Sequence, residues 1–308
     1  MNHLILTNCT NRKSVKVPKL LPQKSHFEFE NPDVFIKYWL EQISNTTDKA
    51  KAIDVYKGRS VSEIINAQSI LNAEILFVSA GLGLIRANEY IPNYDLTISD
   101  GEYSLKPLLT RWNISESEWW EKLFKQSKSI GIFNYFNGKI FVALPNNYLK
   151  MILPLLKSFD ENNISKLHLF IHPASYTSLP QELKKCYMPY NYSLDFSEFT
   201  GTKVDYCQRC LNHFVKFIYK PGQDISESTQ LVKDFITSLP SIPAKIKRQS
   251  MTDEQIKNLI LEGWVDCRGR STKLLRFIRD EKQVACEQSR FQFLWNNVKT
   301  TKNLENSN

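Results

Sequence analysis

Several polar loops follow short apolar runs in this sequence, and their side chains are the first candidates for chemistry. Asn8 ends the first apolar run, and His172 follows another. Tyr94 and Asp95 place an aromatic ring beside a carboxylate in a polar loop. Such groups can stack a base, orient a water or stabilise a cation. Structural roles are open alternatives, with Asp95 capping the segment after it and His172 satisfied within the core.

A glycine-bearing loop, Ser79–Arg86, follows the apolar run Glu74–Ser79 and carries Gly81 and Gly83. Glycine has no Cβ, so a backbone rich in it can approach a ligand closely. The loop matches neither the dinucleotide-binding nor the Walker pattern, so it does not by itself indicate a nucleotide site. A tight turn explains the two glycines equally well.

The excess of positive charge is concentrated near the C-terminus. The chain of 308 residues has 40 Lys+Arg and 32 Asp+Glu, a net charge of +8. Residues 244–308 hold 13 Lys+Arg and 8 Asp+Glu, which is +5 of that total. Five cations around one predicted helix suit contacts to nucleic-acid phosphates, and a solvated helix face is the alternative. These predicted DNA-binding residues are Arg268, Arg270, Lys273, Arg276 and Arg279.

The cysteines give no firm site. Cys207, Cys210 and His213 are three closely spaced ligand types, but zinc would need a fourth ligand. Cys9 lies in a predicted site loop without an identifiable histidine to activate it. We predict no metal and no cofactor. Six irregularly spaced cysteines fit a reducing cytoplasm better than a disulfide framework.

The elements that must position these loops indicate an α/β fold. Apolar runs alternate with amphipathic segments, which predicts a mainly parallel sheet with helices on both faces. In such sheets, binding groups collect in the loops at the carboxyl ends of the strands. The predicted strands are His3–Asn8, Glu74–Ser79, Lys139–Leu144 and Lys166–Ile171.

Helix-start patterns complete the predicted organisation. Asn31-Pro32, and the capping boxes at Ser60, Ser115 and Thr252, predict four helix N-termini. Ser271 is predicted to cap a further helix in a small C-terminal helix-turn-helix-like module. The predicted divisions are an α/β pocket domain (1–237), a linker (238–250), a basic helical module (251–299) and a tail (300–308). No apolar run is long enough for a membrane span, so we expect no membrane partner, and no obligate protein partner is evident.

Four short segments in order resemble the YaaA-like peroxide-stress proteins and their phage-defence relatives. The C-terminal segments Leu274–Asp280 and Ala285–Phe291 are similar to the tail of the defence-associated members. The likeness covers the first hundred and the last forty residues. The four segments are Asn8-Cys9-Thr10, Tyr56-Lys57-Gly58-Arg59, Ser79–Ile85 and Ile91–Asp95.

This resemblance implies a DNA glycosylase related to the uracil-DNA-glycosylase superfamily. It implies that Asn8 handles water, Tyr94 stacks the base beside Asp95, and His172 in His-Pro-Ala-Ser stabilises charge. The catalytic residues expected are thus Asp95, Asn8 and His172. The expected substrate is a modified pyrimidine of phage DNA. The alternatives are a DNA-binding stress protein without catalysis and an RNA base-modifying transferase. The base-pocket residues expected are Tyr94, Tyr56, Arg59, Ser79, Gly81 and Gly83.

Overall fold

The structure is a computed structural model that describes most of the chain. Its contacts divide the chain into two compact units, Met1–Ser241 and Ile242–Asn308. Residues 242–247 of the predicted linker and 306–308 of the predicted tail lie outside the described residues. The described residues are 3–11, 13, 19–20, 29–126, 133, 136–241 and 248–305.

Eleven strands and thirteen α-helices are assigned within these residues. The strands are β1 Leu4–Asn8, β2 Lys19–Leu20, β3 Ala50–Lys51, β4 Glu74–Ser79, β5 Gly83–Arg86, β6 Tyr90–Ile91, β7 Asn93–Tyr94, β8 Ile140–Ala143, β9 Leu167–Phe170, β10 Gln249–Ser250 and β11 Val284–Ala285. The helices are α1 Pro32–Asn45, α2 Ala52–Val55, α3 Arg59–Leu71, α4 Lys106–Trp112, α5 Glu116–Lys125, α6 Asn146–Lys157, α7 Glu161–Lys166, α8 Gln181–Lys184, α9 Tyr206–Phe217, α10 Ile225–Ser238, α11 Asp253–Glu262, α12 Ser271–Arg276 and α13 Gln288–Glu305.

One five-stranded sheet organises the first unit, in the order β5-β4-β1-β8-β9. The pairs β1–β4, β1–β8 and β8–β9 are parallel, and β5 returns antiparallel beside β4. The four predicted strands are all present, and the prediction of a mainly parallel α/β sheet is confirmed. Their residues are almost all buried, as expected for strands covered by helices on a parallel sheet.

The observed helix starts confirm three of the four predicted caps of this kind. Asn31 caps α1 with Pro32 in its first turn, and Ser115 and Thr252 form complete capping boxes at α5 and α11. The prediction at Ser60 is wrong, because α3 already begins at Arg59 after Gly58. The expected cap partner, Glu63, instead contacts Arg59 and accepts a hydrogen bond from Asn212.

The second unit has a hydrophobic core of its own. Ile256 and Ile260 of α11, Leu274 of α12, and Phe291 and Leu294 of α13 are buried within it. The Ser271 prediction is wrong: Ser271 is the first helical residue, and Arg270 precedes it without a side-chain cap. Helix α13 extends to Glu305, into the segment predicted as a tail. Among the described helices, none is both long and apolar enough to cross a bilayer.

Candidate functional site

A cleft of about 660 Å³ lies where the parallel strands of the first unit end. Asn8 ends β1, Pro145 follows β8, and His172 follows β9, so their side chains meet at one edge of the sheet. This is the edge where parallel sheets ordinarily bind ligands. The rest of the lining comes from the loop after β1, the start of α3, Ser99, the start of α6 and the loop before α9.

The loop after β1 is fixed to its neighbours by short polar contacts. The Cys9 thiol lies 3.2 Å from the Tyr148 hydroxyl, in a buried contact. The Thr10 hydroxyl donates to Lys57 O at 2.9 Å and accepts from Lys57 N at 3.2 Å. These contacts hold the β1 loop against α6 and against the residues just before α3, so the loop has a fixed position at the cleft.

Asn8 is oriented by a buried residue of α9. Gln208 Nε2 donates to Asn8 Oδ1 at 2.8 Å and also lies 3.0 Å from Ala143 O and 3.2 Å from Thr7 Oγ1. Asn8 Nδ2 donates to Cys9 O at 2.7 Å. The side chain of Asn8 is therefore held from both sides while it lines the cleft.

His172 packs against the aromatic rings of Tyr192 and Tyr206. Its ring stacks on Tyr206 with centroids 5.1 Å apart and an interplanar angle of 17°. Its Nδ1 is 3.1 Å from the Tyr192 hydroxyl. Partial burial, with the nearby Lys203 ammonium, lowers the pKa of His172, so the ring is neutral at pH 7. A neutral imidazole keeps one N–H donor for a ligand.

The N-terminus of α3 contributes backbone and a guanidinium to the cleft. Gly58 has φ 117° and ψ 173°, a conformation that favours glycine and turns the chain sharply into the helix. Arg59 follows at once, and its guanidinium donates to Thr200 O and lies 3.8 Å from Asp205 Oδ2. Arg59 thus links α3 to the loop on the opposite wall, as a predicted site residue that does line the cleft.

That opposite wall, the loop 199–205, is built around Arg209 of α9. The Arg209 side chain is fully buried and donates to Asp205 Oδ1 at 2.7 Å, to Asp195 Oδ1 at 2.7 Å, and to the carbonyls of Phe199 and Thr202. Gly201 is needed here, because a Cβ would overlap Arg209 and lie 2.7 Å from Asp205 Oδ1. One buried cation therefore sets the shape of the whole loop.

The cleft is electropositive. Lys57, Arg59 and Lys203 line it, whereas Asp205 is the acidic residue among the lining side chains. The Asp205 carboxylate is already bonded to Arg209, to Thr202 N at 3.0 Å and to Thr202 Oγ1 at 3.1 Å. An excess of cations around polar amides is suited to an anionic ligand.

Three residues expected in a base pocket lie in the core instead. Tyr94 and Tyr56 are fully buried, with hydroxyls 2.6 Å apart, and Ser79 Oγ is 2.5 Å from the Tyr94 hydroxyl. Burial raises the pKa of both tyrosines well above the ordinary value. Base stacking by Tyr94 is thus corrected to a structural role, because its buried ring packs against Trp39 and Tyr56 and does not line the cleft.

The glycine loop also serves packing. A Cβ at Gly81 would lie 2.9 Å from the Tyr94 ring, and Gly83 adopts φ 73° at the turn into β5. Neither glycine lines the cleft. The Asp95 carboxylate is paired with Lys19 at 2.5 Å and is likewise absent from the lining. The expectation that Asp95 acts beside Asn8 is therefore not met by this arrangement.

The five predicted DNA-binding residues of the second unit fall into two groups. Arg268, Arg270, Lys273 and Arg276 are exposed. Arg279 is turned inward and donates to Cys286 O from Nε at 2.9 Å and from a terminal nitrogen at 2.7 Å. The helix widens into a π-turn at Phe277–Glu281, which takes Arg279 off the predicted face. Arg279 is therefore corrected from a phosphate contact to a structural bond.

The cysteine cluster of α9 is used for packing. Cys207 donates to Leu144 O at 3.3 Å, and His213 Nδ1 is bonded to the Tyr190 hydroxyl at 2.7 Å. Among the described residues, no three His, Cys, Asp or Glu side chains come together as a metal site. All six cysteines are free and buried.

Sequence reasoning missed the contributions of Lys57, Lys203, Asp205, Gln208 and Arg209. Lys57 lies within the segment Tyr56-Lys57-Gly58-Arg59, but the sequence does not distinguish it as a site residue. The last two residues carried a signal that could have been used: in α9, polar side chains are interleaved with apolar ones, and all of Tyr206–Val215 is buried. Buried polar residues on an all-round buried helix need partners, so they indicate a network. Which loops they hold is visible only in the fold.

Comparisons with protein-family models, with curated proteins and with solved structures found no match to this chain. The cleft is therefore interpreted from its own geometry.

Proposed function

We propose that this protein is a DNA N-glycosylase that excises a modified pyrimidine and leaves an abasic site, in defence against phage DNA. The observation that carries the proposal is the convergence of Asn8 and His172, 164 positions apart in sequence, in one cation-lined cleft. The resemblance of the sequence to defence-associated glycosylases supports the same activity. The free, buried cysteines are compatible with work in the cytoplasm.

The chemistry follows from which groups face the cleft. A base must leave the stack to enter it, at a cost of a few kcal/mol. Lys57, Arg59 and Lys203 would hold the flanking phosphates and offset that cost. The C1′–N bond then breaks through an oxocarbenium-like sugar, water supplies the hydroxyl at C1′, and the base leaves with a proton.

His172 would act on the departing base. When the Tyr192 hydroxyl donates to His172 Nδ1, the ring proton is on Nε2, which then donates to the negative charge that develops on the base. A neutral His172 is required for this tautomer, and its lowered pKa provides it at pH 7.

An abasic-site assay tests the activity. Protein is incubated with phage DNA that carries hypermodified pyrimidines and with unmodified DNA, and alkali-labile strand breaks are counted. We expect breaks in the modified DNA alone, reduced by about 10²-fold or more in His172→Gln because a positioned donor is lost. Breaks in the modified DNA no more frequent than in the unmodified DNA would reject the glycosylase, and equal breakage by the wild type and His172→Gln would remove His172 from the mechanism.

One observation favours a second candidate, a DNA-binding protein without catalysis. Asp205, the acidic residue of the lining, is committed to Arg209 and Thr202, so this carboxylate is not available to activate water. In that case modified DNA would bind tightly in the cleft with no abasic sites formed. The same assay, read beside a binding measurement, separates the two.

A further inference from the structure

The hydrogen bonds around Asn8 decide which of its polar atoms points where. Gln208 Nε2 lies 3.0 Å from Ala143 O, and a backbone carbonyl can only accept. The Gln208 atom that faces the strand end must therefore be the amide nitrogen, which donates.

The same logic then fixes Asn8. The atom of Asn8 that is 2.8 Å from this donor must accept, so it is Oδ1. The other polar atom lies 2.7 Å from Cys9 O, a second carbonyl that can only accept, so it is Nδ2. Reversing either amide would bring two acceptors together. Two backbone carbonyls thus determine both side-chain orientations.

One hydrogen of the Asn8 amide nitrogen is left for a ligand. An amide nitrogen carries two hydrogens, and Asn8 uses one of them for Cys9 O. The second has no partner among the described residues, and Asn8 lines the cleft. The oxygen, in contrast, is turned to the buried Gln208.

The hydrogen bonds of Gln208 leave one of its own polar atoms without a partner, which lowers the stability of the fold. It is fully buried, its two amide hydrogens serve three acceptors, and its Oε1 has no partner among the described residues. A buried amide oxygen without a partner is destabilising, so an apolar side chain at position 208 would give a more stable core. The geometry therefore marks Gln208 as a residue that positions Asn8.

We infer that Gln208 fixes the Asn8 amide so that it presents an N–H donor to the cleft, and that the ligand group at this point is an acceptor oxygen. This rests on the proposal that the cleft binds nucleic acid. Nucleic acid offers such an oxygen as a base carbonyl or as a phosphate oxygen. The donor assignment gives Asn8 a recognition role in place of the water-handling role that the sequence resemblance implies.

The test exchanges donor for acceptor without changing shape. Asn8→Asp keeps the acceptor that faces Gln208 but replaces both N–H donors, the free one and the one bonded to Cys9 O, with an oxygen. Asn147→Asp is the matched control, because exposed Asn147 lines the same cleft and adds the same charge. Affinities are measured by fluorescence anisotropy for two oligonucleotides. One carries deoxyuridine on a 2′-fluorinated sugar that resists cleavage, and the other carries a tetrahydrofuran abasic site.

We expect Asn8→Asp to bind the deoxyuridine probe about tenfold more weakly than Asn147→Asp does, the size of one lost hydrogen bond. If the oxygen is a base carbonyl, this deficit disappears with the abasic probe; if it belongs to a phosphate, the deficit is the same for both probes. Equal affinities of the two variants for both probes, or a wild type that binds neither probe, would overturn the inference. Thermal unfolding checks that each variant is folded.

A ligand-free measurement addresses Gln208 itself. In the wild type we expect one Asn8 Nδ2 proton to be protected from solvent exchange by Cys9 O and the other to exchange freely, seen in side-chain NMR spectra. Gln208→Met has similar length and no donor, so this asymmetry should be lost and Asn8→Asp should then cost no more than Asn8→Ala. An unchanged asymmetry in a folded Gln208→Met protein rules out the positioning role. None of these readouts needs base excision, so the glycosylase proposal can fail while this inference stands.

Discussion

The protein has two basic regions that are built in opposite ways. In the cleft, Arg59 is tied to Thr200 O and lies near Glu63 and Asp205. On the second unit, Arg268, Arg270, Lys273 and Arg276 are exposed and make no ion pair with the described residues. Positioned cations favour one ligand geometry, whereas freely solvated cations attract any phosphate backbone. Under the proposed function, the cleft would therefore select among DNA ligands and the second unit would bind any DNA.

The largest effect is expected from Arg209→Ala, which removes the cation that holds one wall of the cleft. Removing this buried guanidinium takes away the buried ion-pair partner of Asp205 and the donor to the Phe199 and Thr202 carbonyls. We expect a loss of about 3–5 kcal/mol in the free energy of unfolding of the first unit, the range for breaking a buried ion pair. Denaturant unfolding measures it. Arg86→Ala, at an exposed pair with Glu74, is the control and should cost less than about 1 kcal/mol.

The two units should also differ in their response to acid. All five histidines lie in the first 213 residues, and burial lowers the pKa of His168 and of His213 to about 4. Between pH 6.5 and pH 4 these rings are protonated in the unfolded chain but not in the folded chain. The free energy of unfolding that they contribute above pH 6.5 is therefore lost as the pH falls toward 4. We expect ~1–2 kcal/mol per histidine between pH 7 and pH 5.

Urea unfolding followed at several pH values measures this loss. In His213→Gln the pH dependence of the first unit should be visibly shallower over the same range. A second unit that loses stability in parallel over pH 7 to 5 would show that groups other than histidine dominate, since it has none.

The next largest effect concerns selectivity. Arg59→Ala removes the positioned cation, and we expect the preference for modified over unmodified DNA to fall by about tenfold, the loss of one charge-assisted contact. Arg86→Ala is again the control, because both arginines are about half exposed, at 49% and 46%, and each lies near a glutamate. Competition binding gives the ratio, and equal ratios for the two variants would place recognition elsewhere.

The smallest effect is expected on the second unit. Arg276→Ala should weaken binding to every DNA by only a few-fold and reduce the slope of log affinity against log salt by about 1. Arg279→Ala should leave the salt slope unchanged and instead lower stability, because its donors are used on Cys286 O. Salt titrations of both variants provide the comparison; a reduced slope for Arg279→Ala would restore it to the DNA-binding face.

Much of the fold was predictable because it depends on local patterns. Apolar runs located the four central strands, and the boxes at Ser115 and Thr252 located helix starts. The box at Ser60 failed because Glu63 has tertiary partners, Arg59 and Asn212, that compete with the cap. Propensity decides an end only where no distant group offers a better bond.

Site residues were predictable only in part. Asn8 and His172 follow from strand ends and Arg59 from the sequence resemblance, and the structure brings these three to one cleft. Tyr94 and Asp95 have equally suitable chemistry, but burial and the Lys19 pair remove them from it. Side-chain type indicates what a residue can do, and burial determines whether a ligand can reach it.

The sequence by itself determined the sheet, the alternation of strands and helices, and the uneven distribution of charge, because each depends on neighbours along the chain. The tertiary structure alone decided that α9 holds Asn8 and the loop 199–205 in place. Gln208 donates to Thr7 Oγ1 and Ala143 O, which lie 201 and 65 positions away in the sequence. Long-range hydrogen bonds of this kind leave no periodic trace, so they are set only when the chain has folded.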